Sequence, residues 1–204
     1  EQLLMQTLWR PDVADDPVKF VLINFPWGEP HTPLAKHKGP RLRQIKLLRQ
    51  IRDHIAAGAP AQESIRRVLK SATSSGRGIG KSALTSWLAL WMMTTRLGST
   101  TILMANSESQ LKARTMAEVR KWLALARNGH WFESSAMSIR PAEWFAKQLT
   151  SEMGIDSGYY YIEAQLWSEE NPDRVAGVHN HNGVMVIFDE ASGIPEVIWE
   201  VSTG

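Results

Sequence analysis

Hydrophobic positions along this chain recur at helical spacings in some segments and as short continuous runs in others. Spacings of three and four residues predict a helix over 41–57 and further helices over 81–97 and 110–126. Asp16 followed by Pro17 is a helix-start signal, which favours a helix over the apolar residues that follow. One more helix is predicted near 141–153, within a less regular region.

Runs of β-branched and apolar residues predict the strands. They lie at 68–72, 100–105, 159–166 and 184–188. Because these strands alternate with helices, we expect an α/β fold with a mostly parallel sheet covered by helices on both faces. The length of 204 residues suits a single domain. Within it we expect an N-terminal helical and irregular subregion (1–60) and a core (61–204).

Composition narrows the class of protein only a little. The apolar fraction of 43% and charged fraction of 22% are ordinary for a soluble globular protein, and a net charge of +2 does not by itself indicate a nucleic-acid binder. The absence of cysteine excludes disulfides and thiolate metal sites. The longest apolar run, 84–93, is interrupted by Thr85 and Ser86 and is shorter than the roughly 20 residues of a membrane span. No signal-peptide pattern precedes it, so we expect a cytoplasmic protein without membrane contact.

A glycine-rich segment lies between the predicted strand 68–72 and the predicted helix 81–97. It reads Ser75, Gly76, Arg77, Gly78, Ile79, Gly80, Lys81, Ser82. Its last four positions fit the Walker A pattern G-x-x-x-x-G-K-[ST], with Ser75 in place of the first glycine. Backbone N–H groups of such a loop bind phosphate oxygens, and the helix N-terminus adds partial positive charge. We therefore expect residues 75–82 to bind ATP, with Lys81 at the β- and γ-phosphates and Ser82 on Mg²⁺.

Two carboxylates, Asp189 and Glu190, end the predicted strand 184–188. In a P-loop enzyme such an aspartate holds the Mg²⁺ shell, and the adjacent glutamate orients and deprotonates the attacking water. Arg77 can stabilise charge on the γ-phosphate as an arginine finger does, or face solvent. The predicted catalytic residues are therefore Glu190, Arg77 and Lys81, and the predicted metal ligands are Ser82 and Asp189.

At these residues the chain resembles the large terminase subunit of tailed bacteriophages, the ATPase of the DNA-packaging motor. Terminase Walker A loops often lack the first glycine and carry an arginine four residues before the lysine. Here Ser75 stands at the first glycine position, and Arg77 lies four residues before Lys81. Further segments are similar to those of one terminase subgroup, namely 25–30, 32–34, 39–40, 189–195 and 198–200.

The resemblance implies a RecA- and helicase-like P-loop fold that ends here before its last strands. A coupling motif is expected beyond Gly204, and no nuclease domain or nuclease activity is expected in this chain. The resemblance also assigns Gln44 to the adenine edge, although Arg43 stands where family members often have an aromatic residue. Gln44 can equally be a polar residue on an exposed helix face.

The resemblance further implies that ATP hydrolysis drives double-stranded DNA into a procapsid in the host cytoplasm. The expected assembly is a homo-oligomeric ring of five subunits around DNA. Its expected partners are the portal, on which the ring docks, and the small terminase subunit. Two alternatives remain open, a helicase-like DNA translocase and a non-catalytic nucleotide- or DNA-binding module. The substitution at Ser75 leaves room for the second, whereas Glu190 argues against it.

Three other features have both functional and structural interpretations. A basic face on helix 41–57 can attract DNA phosphates or simply be solvated, and Arg66 and Arg67 are equally ambiguous. The basic residues of this face and the segment before it are Lys36, Lys38, Arg41, Arg43, Lys46, Arg49 and Arg52. Residues 106–110 can transmit the nucleotide state or cap the next helix. His179 and His181 are interpreted as loop histidines, because no third metal ligand accompanies them.

Overall fold

The N-terminal part of the chain is helical. The computed structural model describes residues 1–58, 69, 71–72, 80–167, 179–189, 194 and 198. The first helices are α1 (Gln2–Trp9), α2 (Pro11–Ala14), α3 (Pro17–Asn24) and α4 (Leu42–Ala57). The Asp16 carboxylate accepts hydrogen bonds from the backbone N–H groups of Val18 (2.9 Å) and Lys19 (3.3 Å), which confirms the predicted helix start. The predicted helix over 41–57 is also confirmed.

The remaining elements build the sheet and the helices against it. They are α5 (Lys81–Thr95), β1 (Thr100–Ala105), α6 (Glu108–Gln110), a π-helical segment (Leu111–Thr115), α7 (Met116–Leu125), β2 (Phe132–Ser134), β3 (Ser138–Pro141), α8 (Glu143–Met153), β4 (Tyr161–Leu166) and β5 (Val184–Phe188). Strands β1 and β5 have the bounds predicted from the sequence, and β4 begins two residues later than predicted.

The sheet has five strands in the order β2-β3-β4-β1-β5. Strand β1 pairs in parallel with β4 and β5, whereas β3 pairs antiparallel with β4 and β2. The sheet is therefore mixed, and the prediction of a mostly parallel sheet is wrong for β2 and β3. Only residues 135–137 connect β2 to β3, and a connection this short joins strands in antiparallel orientation.

The strand predicted at 68–72 does not appear among its described residues. Leu69, Ser71 and Ala72 lie outside any strand and are exposed, with Leu69 41% accessible. A central strand of a parallel sheet is buried on both faces, so this exposure contradicts the prediction for these three residues.

The main hydrophobic core lies on one face of the sheet. Leu103 of β1 faces this core, whereas Ile102 and Met104 face the other side and pack with Ile198. The N-terminal helices contribute Phe20 and other side chains to the same core as α5 and α7. Helical cover over the second face stays a prediction. In the part of the chain that the structure describes, none of the helices is long and apolar enough to cross a membrane.

Candidate functional site

The first turn of α5 lies at the edge of the sheet where the parallel strands end. Residues 96–99 alone connect α5 to β1, so the C-terminus of α5 lies where β1 begins. Helix α5 packs against β1 and β5. Its 15 residues rise about 22 Å, close to the roughly 20 Å spanned by the six residues of β1. Lys81 and Ser82, the first two residues of α5, therefore lie near the carboxyl edge of the sheet, and both are exposed.

Asp189 follows β5 at this same edge. Its backbone N–H donates a hydrogen bond of 2.8 Å to the carbonyl of Met104, which extends the pairing of β5 with β1 by one residue. The backbone that carries the Asp189 carboxylate is thereby fixed to the sheet. The start of α5 and the end of β5 therefore lie toward the same edge of the sheet.

Gly80 immediately precedes α5 and contacts Gln44 of α4. The Gln44 side-chain amide donates to the Gly80 carbonyl (2.8 Å), and its oxygen accepts from the Arg41 backbone N–H (2.8 Å). Gln44 is only 6% exposed. The interpretation of Gln44 as a residue on an exposed helix face is therefore wrong, because its position in the first turn of α4 turns it toward Gly80. Its adenine role stays a prediction.

Thr115 contacts the candidate site although no sequence motif marks it. Its hydroxyl donates a hydrogen bond of 2.8 Å to Oδ2 of Asp189, and the residue is 4% exposed. Thr115 ends the π-helical segment, which closes with a hydrogen bond from the Met116 N–H to the Leu111 carbonyl. The one available sequence signal for an irregular turn here was the spacing of five positions between the apolar residues Leu111 and Met116, both of which are buried.

Several predicted site residues lie outside the described residues. They are Ser75, Gly76, Arg77, Gly78, Ile79 and Glu190. The two arginines Arg66 and Arg67 lie outside them as well. The functional roles of all these residues therefore stay predictions.

Residues 106–110 cap the helical stretch that follows β1. The Ser107 hydroxyl accepts a hydrogen bond of 3.1 Å from the Gln110 N–H, which confirms the capping interpretation. A cleft opens beside this cap, lined by Ser107, Gln110 and Arg114 among others. The pKa of Glu108 lies below its ordinary value, chiefly because the Lys112 side chain hydrogen-bonds its carboxylate.

A magnesium ion held mainly by a nucleotide would need few protein ligands at the sheet edge. No cluster of three or more His, Asp or Glu side chains occurs within the described ranges. Such a cluster is not required, because Mg²⁺ keeps several waters and takes one or two protein ligands beside phosphate oxygens. Ser82 and Asp189 supply one hydroxyl and one carboxylate. His179 and His181 lie in an exposed loop and turn, as interpreted from the sequence.

Comparison with known proteins adds no family to these observations. No protein-family model, curated protein or solved structure matches the chain. The fold defines an α/β protein with a mixed, open, five-stranded sheet flanked by helices.

Proposed function

We propose that this chain is the Mg²⁺-dependent ATPase domain of a motor that packages double-stranded viral DNA into a procapsid. The observation that carries the proposal is that the described ends of two sequence motifs lie toward the same edge of the sheet. Gly80, Lys81 and Ser82 open α5 at this edge, and Asp189 follows β5 at the same edge. Ligands of open α/β sheets bind outside the carboxyl ends of the strands, where these residues lie.

Gly80 supports phosphate binding through the direction of its peptide group. Its carbonyl accepts hydrogen bonds from the Leu84 N–H (3.1 Å) and from the Gln44 side chain (2.8 Å). The carbonyl and N–H of a trans peptide point in opposite directions. The Lys81 N–H therefore points away from the body of α5, in the direction in which the N–H groups of a helix start face a bound anion.

The proposal assigns one role to each residue of the site. Lys81 binds the β- and γ-phosphates, while Ser82 and Asp189 hold the Mg²⁺ shell. Bound Mg²⁺ neutralises negative charge on the phosphates. Glu190 orients and deprotonates the attacking water, and Arg77 stabilises charge on the γ-phosphate. The backbone N–H groups of 75–80 complete the phosphate contacts, and Gln44 contacts adenine.

The DNA part of the proposal rests on the outer face of α4. Arg43, Lys46 and Arg49 are exposed on the helix whose inner face carries Gln44 and Leu48 into the protein. Helix α4 therefore contacts Gly80 on its inner face and presents basic side chains on its outer face. Small terminase and portal partners, and a ring of subunits, are proposed with the motor because of the resemblance alone.

Phosphate release from ATP tests the catalytic part of the proposal. Glu190→Gln removes the proposed base and keeps the size of the side chain, so we expect turnover to fall by about a hundredfold or more. Glu133→Gln, an exposed carboxylate on β2, is the matched control and is expected to leave turnover unchanged.

Two results would contradict this catalytic assignment. One is wild-type turnover in Glu190→Gln. The other is an absence of turnover in a wild-type chain that circular dichroism shows to be folded, a result that favours the non-catalytic binding module.

A further inference from the structure

A buried hydroxyl group holds the carboxylate that the proposed function assigns to the Mg²⁺ shell. Thr115 donates to Oδ2 of Asp189 over 2.8 Å, and only 4% of Thr115 is exposed. Within the described ranges, Oδ1 of Asp189 has no hydrogen-bond partner. One carboxylate oxygen of Asp189 is thus bound to the protein by a buried hydroxyl group.

Asp189 is restrained at both its backbone and its side chain. The Met104 carbonyl accepts the Asp189 N–H over 2.8 Å, which fixes the backbone in the β1–β5 pairing. The Thr115 hydrogen bond then limits rotation of the carboxylate. A metal ligand that is already oriented loses less conformational freedom on binding, so such a restraint strengthens the site.

The π-helical segment is the reason that Thr115 reaches Asp189. Leu111 and Met116 are both fully buried in the main core, although they are five positions apart along the chain. The wider turn accommodates this spacing and leaves Thr115 buried at the same time. Irregular turns of this kind occur frequently at functional sites.

We infer that Thr115 is a positioning residue that orients Asp189 for the Mg²⁺ of a bound nucleotide. This inference rests on the proposed function, because it concerns the same site. Thr115 acts through Asp189 and need not touch the nucleotide or the metal. Its hydroxyl, rather than its volume, is therefore the feature that matters.

The test compares nucleotide affinity with and without Mg²⁺. Adenylyl imidodiphosphate, a non-hydrolysable ATP analogue, is titrated into the chain by calorimetry in excess Mg²⁺ and again in EDTA. The ratio of the two affinities measures what the metal adds to binding. Thr115→Val keeps the shape of the side chain without its hydroxyl, so we expect this ratio to fall about tenfold. The affinity in EDTA is expected to stay within about twofold of wild type.

Two further variants separate a positioning role from a merely structural one. Thr115→Ser keeps the hydroxyl and is expected to restore the wild-type ratio. Thr101→Val removes a hydroxyl that is buried on β1 and has no partner among the described residues, so the ratio is expected to be unchanged. If Thr115→Val does not fold, Thr115→Ala serves as the second variant without a hydroxyl.

Each outcome decides the inference. A wild-type ratio in folded Thr115→Val or Thr115→Ala would overturn it and leave the proposed function intact, as would failure of Thr115→Ser to restore the ratio. A wild-type chain that binds the analogue no better with Mg²⁺ than in EDTA would overturn the proposed Mg²⁺ site itself, and the role of Thr115 with it.

Discussion

Gly80 occupies a backbone conformation and a space that strongly favour glycine. Its φ of +86° lies in the left-handed region, and a Cβ added there would stand 2.5 Å from the amide nitrogen of Gln44. The absence of a side chain at Gly80 therefore leaves room for the Gln44 amide, whether or not a phosphate binds. The backbone of this structure therefore favours glycine at position 80 independently of the predicted phosphate contact.

Replacing Gly80 by alanine is expected to destabilise the protein by about 2–3 kcal/mol. A side chain in the left-handed region costs about 1–2 kcal/mol. Displacing Gln44 breaks its hydrogen bond to Gly80 and adds about 1 kcal/mol. Urea denaturation measures the free energy of unfolding.

Gly154→Ala is the matched control for this loss of stability. Gly154 has a similar φ of +66° with nothing within 4 Å of an added Cβ, so only the conformational cost is expected there. Equal losses in the two variants would show that the contact with Gln44 contributes nothing.

Helix α4 presents two different faces. Gln44 and Leu48 are buried, and the opposite face carries exposed Arg43, Lys46 and Arg49. Arg52, by contrast, forms an ion pair with Asp53 over 2.7 Å. Among the described residues, Arg43, Lys46 and Arg49 form no ion pair, so they are better suited than Arg52 to an external anion.

The double variant Arg43→Ala, Lys46→Ala is expected to weaken binding to duplex DNA by about tenfold. Removing two phosphate contacts should also reduce the slope of log affinity against log salt by about two. Fluorescence anisotropy over a range of salt concentrations measures both quantities.

The control for the DNA prediction is Lys121→Ala, Lys147→Ala, which removes the same charge from α7 and α8. Both lysines are exposed and pair with neighbouring glutamates. An equal loss of affinity in the control would show that net charge, not the face of α4, determines binding.

The elements that the sequence predicted well are marked by an unbroken apolar run or by a helical spacing of apolar residues. Strands β1 and β5 are short apolar runs, and their bounds were predicted correctly. The hairpin of β2 and β3 was missed because its strands, FES and SIRP, are short and mix polar with apolar residues. Their pairing comes from tertiary contacts that local propensity does not express.

At the site, local pattern located the motifs but not the contacts between distant elements. Lys81, Ser82 and Asp189 were proposed from the sequence because the Walker A and Walker B patterns restrict the residue types. Thr115 was not predicted, because its hydrogen bond joins it to Asp189, 74 positions away along the chain. Thr115 also lies in a π-helical segment that no sequence motif marks. Gln44 was singled out from the sequence, but its burial was not predicted.

At the scale of the whole molecule, the N-terminal helices belong to the same core as the sheet. A buried polar chain links them: Asn24 of α3 donates to Asn128 (2.8 Å), which donates to Thr94 of α5 (2.9 Å). Buried amides hold such contacts firmly, because leaving one unpaired is costly. Leu48 of α4 is buried in the same core, so the core also supports the contact of Gln44 with Gly80.

Binding of Mg-ATP is the central claim, and calorimetric titration of wild type, Lys81→Ala and Lys147→Ala tests it most directly. Lys147 is an exposed lysine on α8, with its side chain 75% accessible, and controls for the loss of one positive charge. The account predicts saturable binding by wild type and Lys147→Ala, weakened at least about tenfold in Lys81→Ala because a charged phosphate contact is lost. Wild-type affinity in Lys81→Ala, or no binding by a folded wild-type chain, would contradict it.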